Sequence, residues 1–179
     1  MEKSKLKVFV TRKWPVKVEE YLLENFDTQL NPDDKPLGQA ELRDALNHYD
    51  VVCPTVTDRL GQDLFDSKVI QAKLIVNFGV GYNHIALGAL KGMGIEVTNT
   101  PGVLTDATAE IAMMLILMSA RRAGEGERHL RAGEWSGWRP THMLSSQVTG
   151  KTLGIVGMGR IGTRLARQAR HGFGMRVLY

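Results

Sequence analysis

Short apolar runs alternate with amphipathic stretches from the start of the chain, which predicts strands alternating with helices. Lys5 to Thr11 (KLKVFVT) reads as a strand, and Val16 to Asn25 as an amphipathic helix. Ala40 to Asn47 predicts a second helix, and Asp50 to Cys53 a buried strand halted by Pro54. Leu74 to Phe78 is the next strand, apolar except for Asn77. The loop Gly79-Val80-Gly81 follows it, then a helix from about Asn83 to Lys91. Ile95 to Thr98 is a further strand, closed by Asn99-Thr100-Pro101-Gly102. Continuous apolar strands separated by helices predict a parallel sheet covered on both faces.

From Thr105 the pattern changes. Thr105-Asp106 reads as an N-cap with acids in the first turn, opening a helix that runs to about Arg121. Its middle, Ile111 to Met118, is apolar on every side, which predicts burial all round. Gly124 separates it from a polar helical stretch, and Gly133 to Pro140 is a loop carrying Trp135 and Trp138. These tryptophans either fill a core edge or, if exposed, mark a subunit interface.

Composition narrows the classes. With 179 residues, 43% hydrophobic and 23% charged, the chain is neither disordered nor fibrous and suits one large domain or two small ones. No apolar run approaches the roughly 18 residues that a spanning helix needs, so no membrane partner is expected. The opening Met1-Glu2-Lys3-Ser4-Lys5 has no secretory character, and the single Cys53 fits a reducing compartment; the expectation is a soluble, cytoplasmic protein. Residues 1–134 carry all 19 acids against 16 Lys and Arg, whereas residues 135–179 carry seven basic residues and no acid. Four of those, Arg160, Arg164, Arg167 and Arg170, sit on one predicted helix as a solvated face. With neither stacking aromatics nor a nucleic-acid motif beside them, no nucleic-acid partner is expected.

Thr152 to Val156 is a short apolar strand that runs into Gly157-Met158-Gly159-Arg160-Ile161-Gly162 and then a helix, Thr163 to Arg170. Between a strand and a helix, this G-x-G-x-x-G pattern points to a dinucleotide. Gly157 permits the tight turn, Gly159 lets backbone approach a pyrophosphate, and Gly162 lets helix and strand pack closely. The amides of Arg160 and Ile161 open the helix, where its dipole favours phosphate. The acid expected about 20 residues on, which would bind the ribose, has no counterpart before the strand Met175 to Tyr179 ends the sequence, so a fragment of a longer protein is expected.

The residues now resemble a known family. Cys53-Pro54-Thr55-Val56-Thr57-Asp58, Asn77 to Ile85 (NFGVGYNHI), Asn99 to Glu110 (NTPGVLTDATAE) and Gly150 to Gly162 (GKTLGIVGMGRIG) follow in family order. Together they resemble the D-isomer-specific 2-hydroxyacid dehydrogenases, most closely the glyoxylate/hydroxypyruvate reductase branch, over essentially the whole chain. The resemblance implies an α/β protein with a flavodoxin-like substrate domain over residues 1–101, lacking its C-terminal segment. The start of a Rossmann dinucleotide-binding domain follows over 102–179, ending after the second strand.

Carried over by position, Gly79, Val80 and Gly81 form the loop that holds the substrate carboxylate, with Val80 also near the cofactor. Thr55 lies at the substrate-side wall, and Thr105 near the nicotinamide or phosphate end of the cofactor. Gly157, Gly159, Arg160, Ile161 and Gly162 belong to the pyrophosphate site. The implied activity is reduction of a small 2-keto acid, glyoxylate or hydroxypyruvate, to the D-2-hydroxy acid with NAD or NADP, leaning towards NADP, by a homodimer when full length. The family's catalytic Arg, Glu and His lie C-terminal to the glycine motif, so no catalytic residue is assigned and these residues alone are expected to be inactive. A corepressor-like dinucleotide sensor and a phosphoglycerate-type dehydrogenase are the alternatives.

Of the five histidines, His84 follows Asn83 in a helix-capping position. His48, His129, His142 and His171 lie in polar stretches without a paired acid at a useful spacing. None is given acid–base work. Cys53, flanked by apolar residues, reads as a small buried hydrophobe, and no cluster has metal-ligand spacing.

Overall fold

A computed structural model of the protein describes residues 5–65 and 70–179. Met1 to Ser4, read as lacking a secretory signal, lie outside the described residues. The chain divides into two compact units, Met1–Pro101 and Gly102–Tyr179.

In the first unit the elements run β1 (Lys7–Val10), α1 (Val16–Asn25), β2 (Asp27–Gln29), α2 (Gln39–His48), β3 (Val51–Cys53), β4 (Leu74–Val76), α3 (Leu87–Gly92) and β5 (Glu96–Thr98). All pairings are parallel and the strand order is β2-β1-β3-β4-β5, the doubly wound 2-1-3-4-5 arrangement. Alternation along the strands assigns the faces. Val52 and Ile75 turn towards Leu42 and Leu46 of α2 and Leu90 of α3. Val8, Val10 and Cys53 turn the other way, towards Leu22 and Phe26 beside α1. The expected covered parallel sheet is present.

Several boundaries differ from the sequence expectation. Strand β2 is absent from it, because Asp27-Thr28-Gln29 is polar and lies at the sheet edge with only its middle residue half-buried. The helix expected from Asn83 begins only at Leu87. Asn83 and His84 form a turn instead, and Ile85 pairs as a single bridge with Leu60. His84 therefore caps no helix.

The second unit contains α4 (Thr105–Ala120), α5 (Ala123–Arg131), β6 (Thr152–Gly154), α6 (Arg160–Phe173) and β7 (Arg176–Leu178), with β6 and β7 parallel. Its core joins Ala109 and Met113 of α4 to Leu165 and Ala169 of α6, closed by Val148 and Met175. Leu104, not Thr105, occupies the N-cap of α4, and no side chain caps it. The break after α4 is made by Arg122 in the left-handed region (φ 55°), while Gly124 lies inside α5. Burial of α4 all round is not observed: Ile111, Met114, Leu115 and Met118 are exposed. A helix apolar on every side is not covered on all of them by α5 and α6, the two helices in contact with it here. Trp135 and Trp138 are 54% and 83% exposed, so neither fills a core edge. Arg160, Arg164, Arg167 and Arg170 all lie on the exposed face of α6. No helix among the described residues is long and apolar enough to cross a membrane.

Candidate functional site

In a doubly wound sheet the carboxyl ends of the strands collect the loops that bind ligands. Four such loops meet on that rim of the first unit. Thr11, just past β1, is fully buried and donates its hydroxyl to Asp58 Oδ2 at 2.6 Å. Asp58, itself 3% exposed, also accepts the Thr55 amide at 2.8 Å, so one buried carboxylate ties the end of β1 to the loop after β3. Thr55 Oγ1 lies 2.9 Å from Thr57 Oγ1, and Thr57 Oγ1 accepts Arg12 at 3.1 Å. Phe78 then bonds the Pro54 carbonyl and packs its ring on Trp14, with centroids 4.9 Å apart. Thr55 and the Gly79–Gly81 loop thus stand side by side. Gly79 is a glycine for a local reason: a Cβ there would lie 2.8 Å from Val56 Cγ1.

The loop itself is tied by its carbonyls. Asn77, fully buried, donates Nδ2 to Gly79 O (3.1 Å) and Gly81 O (2.9 Å). Asn99 donates to Val80 O at 2.9 Å, and the Thr100 amide bonds Gly79 O at 3.1 Å. The Gly79 amide is consumed by Asn77 O within the turn, at 2.9 Å. Among the described residues, the amides of Val80 and Gly81 have no partner. Two adjacent, undirected donors beside a rim of hydroxyls can accept an anion the size of a carboxylate.

Asn77 Oδ1 faces His84 Nε2 at 3.0 Å. Because Asn77 spends both amide hydrogens on carbonyls, its oxygen must accept, and His84 carries its proton on Nε2. Burial holds His84 below the ordinary imidazole value, opposed by the Asp58 charge, so the ring is neutral at neutral pH. Sequence reading missed Asn77, Asn99 and Asp58 as members of this rim. The available signal was a lone amide, Asn77, inside an otherwise apolar strand.

The second unit presents the glycine turn. Gly157 has φ +100°, which demands a glycine. Gly162 packs so closely that a Cβ would lie 2.2 Å from the Gly157 carbonyl oxygen. Gly159 meets neither constraint; its φ is −75° and the space beyond its missing Cβ is open. It is the N-cap of α6, where no side chain caps and no acid occupies the first turn. Its first amides, those of Arg160 and Ile161, have no intrahelical partner by the geometry of a helix start. An open glycine before an uncapped 14-residue helix fits a phosphate group. Thr105, half-buried, is the first residue of α4. Asp106 beside it pairs with Arg164 of α6, so the two helices begin at the same end of the unit.

Burial pushes the Cys53 thiol up to about 12, so it is no nucleophile at neutral pH. Two histidines do have acid partners, contrary to the sequence reading. His129 Nδ1 lies 2.7 Å from Glu134 Oε2, because the chain folds back after α5, and His48 lies 3.0 Å from Asp44 one turn earlier in α2. Neither belongs to the rim or to the glycine turn. Among the described residues no group of three or more His, Cys, Asp or Glu is placed to hold a metal ion.

Residues 8–174 match the family described as D-isomer specific 2-hydroxyacid dehydrogenase, catalytic domain. A glyoxylate reductase of Thermococcus kodakarensis is 41% identical over 177 residues, covering 97% of this chain and 53% of that protein. A glycerate dehydrogenase of Hyphomicrobium methylovorum is 38% identical over 176 residues, with 98% and 54% covered. Among solved structures, D-lactate dehydrogenase of Aquifex aeolicus, complexed with NAD and lactic acid, superposes with a TM-score of 0.75 at 27% identity, over 96% of this chain and 50% of that one. The chain spans about half the length of the curated relatives it matches.

Proposed function

The chain belongs to the D-isomer specific 2-hydroxyacid dehydrogenases, and from that premise we propose that the protein reduces a small 2-keto acid, glyoxylate or hydroxypyruvate, to the corresponding 2-hydroxy acid, of D configuration where C2 is chiral. One observation carries the substrate side of this reading: the amides of Val80 and Gly81 are unpaired while every carbonyl of their loop is bonded. Each charge-assisted bond from such an amide to a carboxylate contributes about 1.5–3 kcal/mol, enough for two of them to fix the carboxylate end of a small acid. Thr55 forms the adjacent wall.

The glycine turn supports a nicotinamide dinucleotide. Gly157 and Gly162 shape the turn, Gly159 leaves room for the pyrophosphate, and Arg160 and Ile161 offer their amides to it. The resemblance also assigns Thr105 and Val80 to the cofactor, and the branch resemblance favours NADP. When bound, the cofactor supplies the hydride for the ketone carbon, and the proton for its oxygen comes from an acid. No residue of this chain is assigned that acid, so residues 1–179 alone hold and orient but do not turn over. The exposed α4 face and the Trp135/Trp138 loop support a homodimer of the full-length protein.

The test is glyoxylate-dependent oxidation of NADPH and NADH by the full-length protein beside the 179-residue chain. The reading expects turnover only from the longer protein, faster with NADPH. Full-length protein that binds the dinucleotide but reduces neither glyoxylate nor hydroxypyruvate is a sensor rather than a reductase.

A further inference from the structure

A trans peptide plane points its carbonyl and the following N–H in opposite directions. Fixing a carbonyl therefore aims the next amide. The Gly79 carbonyl, held by Asn77 and the Thr100 amide, governs the Val80 N–H. The Val80 carbonyl, held by Asn99, governs the Gly81 N–H. No cis peptide interrupts this relation among the described residues. Asn77 spans the loop by bonding the carbonyls on both sides of Val80.

We propose that Asn77 and Asn99 are positioning residues that aim the Val80 and Gly81 amides at the substrate carboxylate, and that His84 holds Asn77 in the required orientation. The inference rests on the reading of this loop as the carboxylate site. A side-chain amide is nearly symmetric in shape, so packing alone does not choose between its two orientations. Reversed, Asn77 would set its oxygen against the carbonyl oxygens of Gly79 and Gly81, and the loop would lose both anchors. The Nε2–H of His84 selects the working orientation because only Oδ1 accepts it. Asn77 is completely buried, so no water competes for these bonds. None of the three side chains needs to touch the substrate.

Kinetics of the full-length protein test this with four variants: Asn99→Ala, His84→Ala, His84→Gln and Gly81→Pro. A residue that acts only by aiming ground-state donors moves KM for glyoxylate more than kcat, so Asn99→Ala and His84→Ala should each raise KM by roughly tenfold with kcat within about threefold. NADPH Kd, measured by fluorescence titration, should stay within about twofold, as the glycine turn is untouched. Gln at position 84 can offer an N–H to Asn77 Oδ1, so His84→Gln should recover most of the loss. A general weakening of the fold would not be rescued in that way.

If Gly81→Pro raises KM while Asn99→Ala and His84→Ala leave it at the wild-type value, the positioning inference is overturned and the carboxylate site stands. If Gly81→Pro also leaves KM unchanged in a folded protein, the carboxylate reading itself fails. Asn77→Asp is a fifth variant, expected to raise KM furthest because it sets a carboxylate oxygen against two carbonyls. Should it fail to fold, the His84 pair still decides.

Discussion

The missing side chain of Gly162 faces the carbonyl oxygen of Gly157, and a methyl group there would stand 2.2 Å from that oxygen. The partner is backbone in a turn whose φ of +100° leaves it little freedom to retreat. Gly162→Ala should therefore destabilise the second unit by about 1–3 kcal/mol, the usual cost of overpacking. Thermal unfolding followed by circular dichroism would show it, and an unchanged midpoint would mean the turn yields freely.

Gly159 offers the opposite case. Its φ is open to any residue and nothing lies within 4 Å of its missing Cβ. Gly159→Val should thus fold normally yet lose most of its dinucleotide affinity in the full-length protein, because the branched side chain occupies the pyrophosphate's approach. Arg160→Ala, which keeps its amide, should bind much closer to wild type. Equal losses in a nucleotide titration would mark an ordinary turn.

Gly81→Pro removes an amide that has no partner among the described residues, in a place where none of them lies within 4 Å of the missing Cβ. The variant should stay folded and raise the glyoxylate KM roughly tenfold or more, with NADPH affinity within about twofold. Gly79→Ala is the contrasting control, since its methyl would press on Val56 Cγ1 at 2.8 Å and disturb the rim itself.

His84 gives a pH signature. Burial lowers its folded value beneath the 6.5 of the free ring, so the unfolded chain takes up its proton first as pH falls. Stability from this group is complete above about pH 6.5 and is lost as pH falls towards the lowered folded value. Urea midpoints at pH 7.5, 6 and 5 should decline, and His84→Gln should decline less. A parallel decline in both proteins would assign the loss to other groups.

The exposed α4 residues Ile111, Met114, Leu115 and Met118, with Trp138 at 83% exposure, leave much apolar surface open on the second unit. Light scattering should find the full-length protein dimeric and the 179-residue chain aggregation-prone. Leu115→Glu with Trp138→Asp should shift the former towards monomer. A monomeric wild type at micromolar concentration would refute the assignment of this face to a dimer.

Much of the fold was readable because apolar periodicity is a local property. The helix expected around Val16 to Asn25 is present, and the strands around Val8, Val52, Ile75 and Val97 follow from short β-branched runs bounded by polar or turn residues. Asp27–Gln29 was not readable, since an edge strand half in water needs no apolar pattern. Nor was the late start of α3. The Asn83-His84 turn is held by the bond from His84 to Asn77 and by the bridge between Ile85 and Leu60, which belongs to a different loop.

At the candidate site, the glycine positions are legible without the fold. Glycines at 79, 81, 157, 159 and 162 after apolar strands are a local, countable signal, and the family segments order them. What each glycine is for, and which amides have no partner among the described residues, depends on contacts between distant segments. Gly79 answers to Val56, Gly162 answers to Gly157, and Gly159 answers to nothing among the described residues. The Val80 and Gly81 amides are free because Asn77 and Asn99, one on each of two neighbouring strand ends, take the carbonyls. Hydrogen bonds between residues brought together by sheet register leave no periodic trace in a sequence, so the side chains that aim the loop became visible only once β4 and β5 were paired.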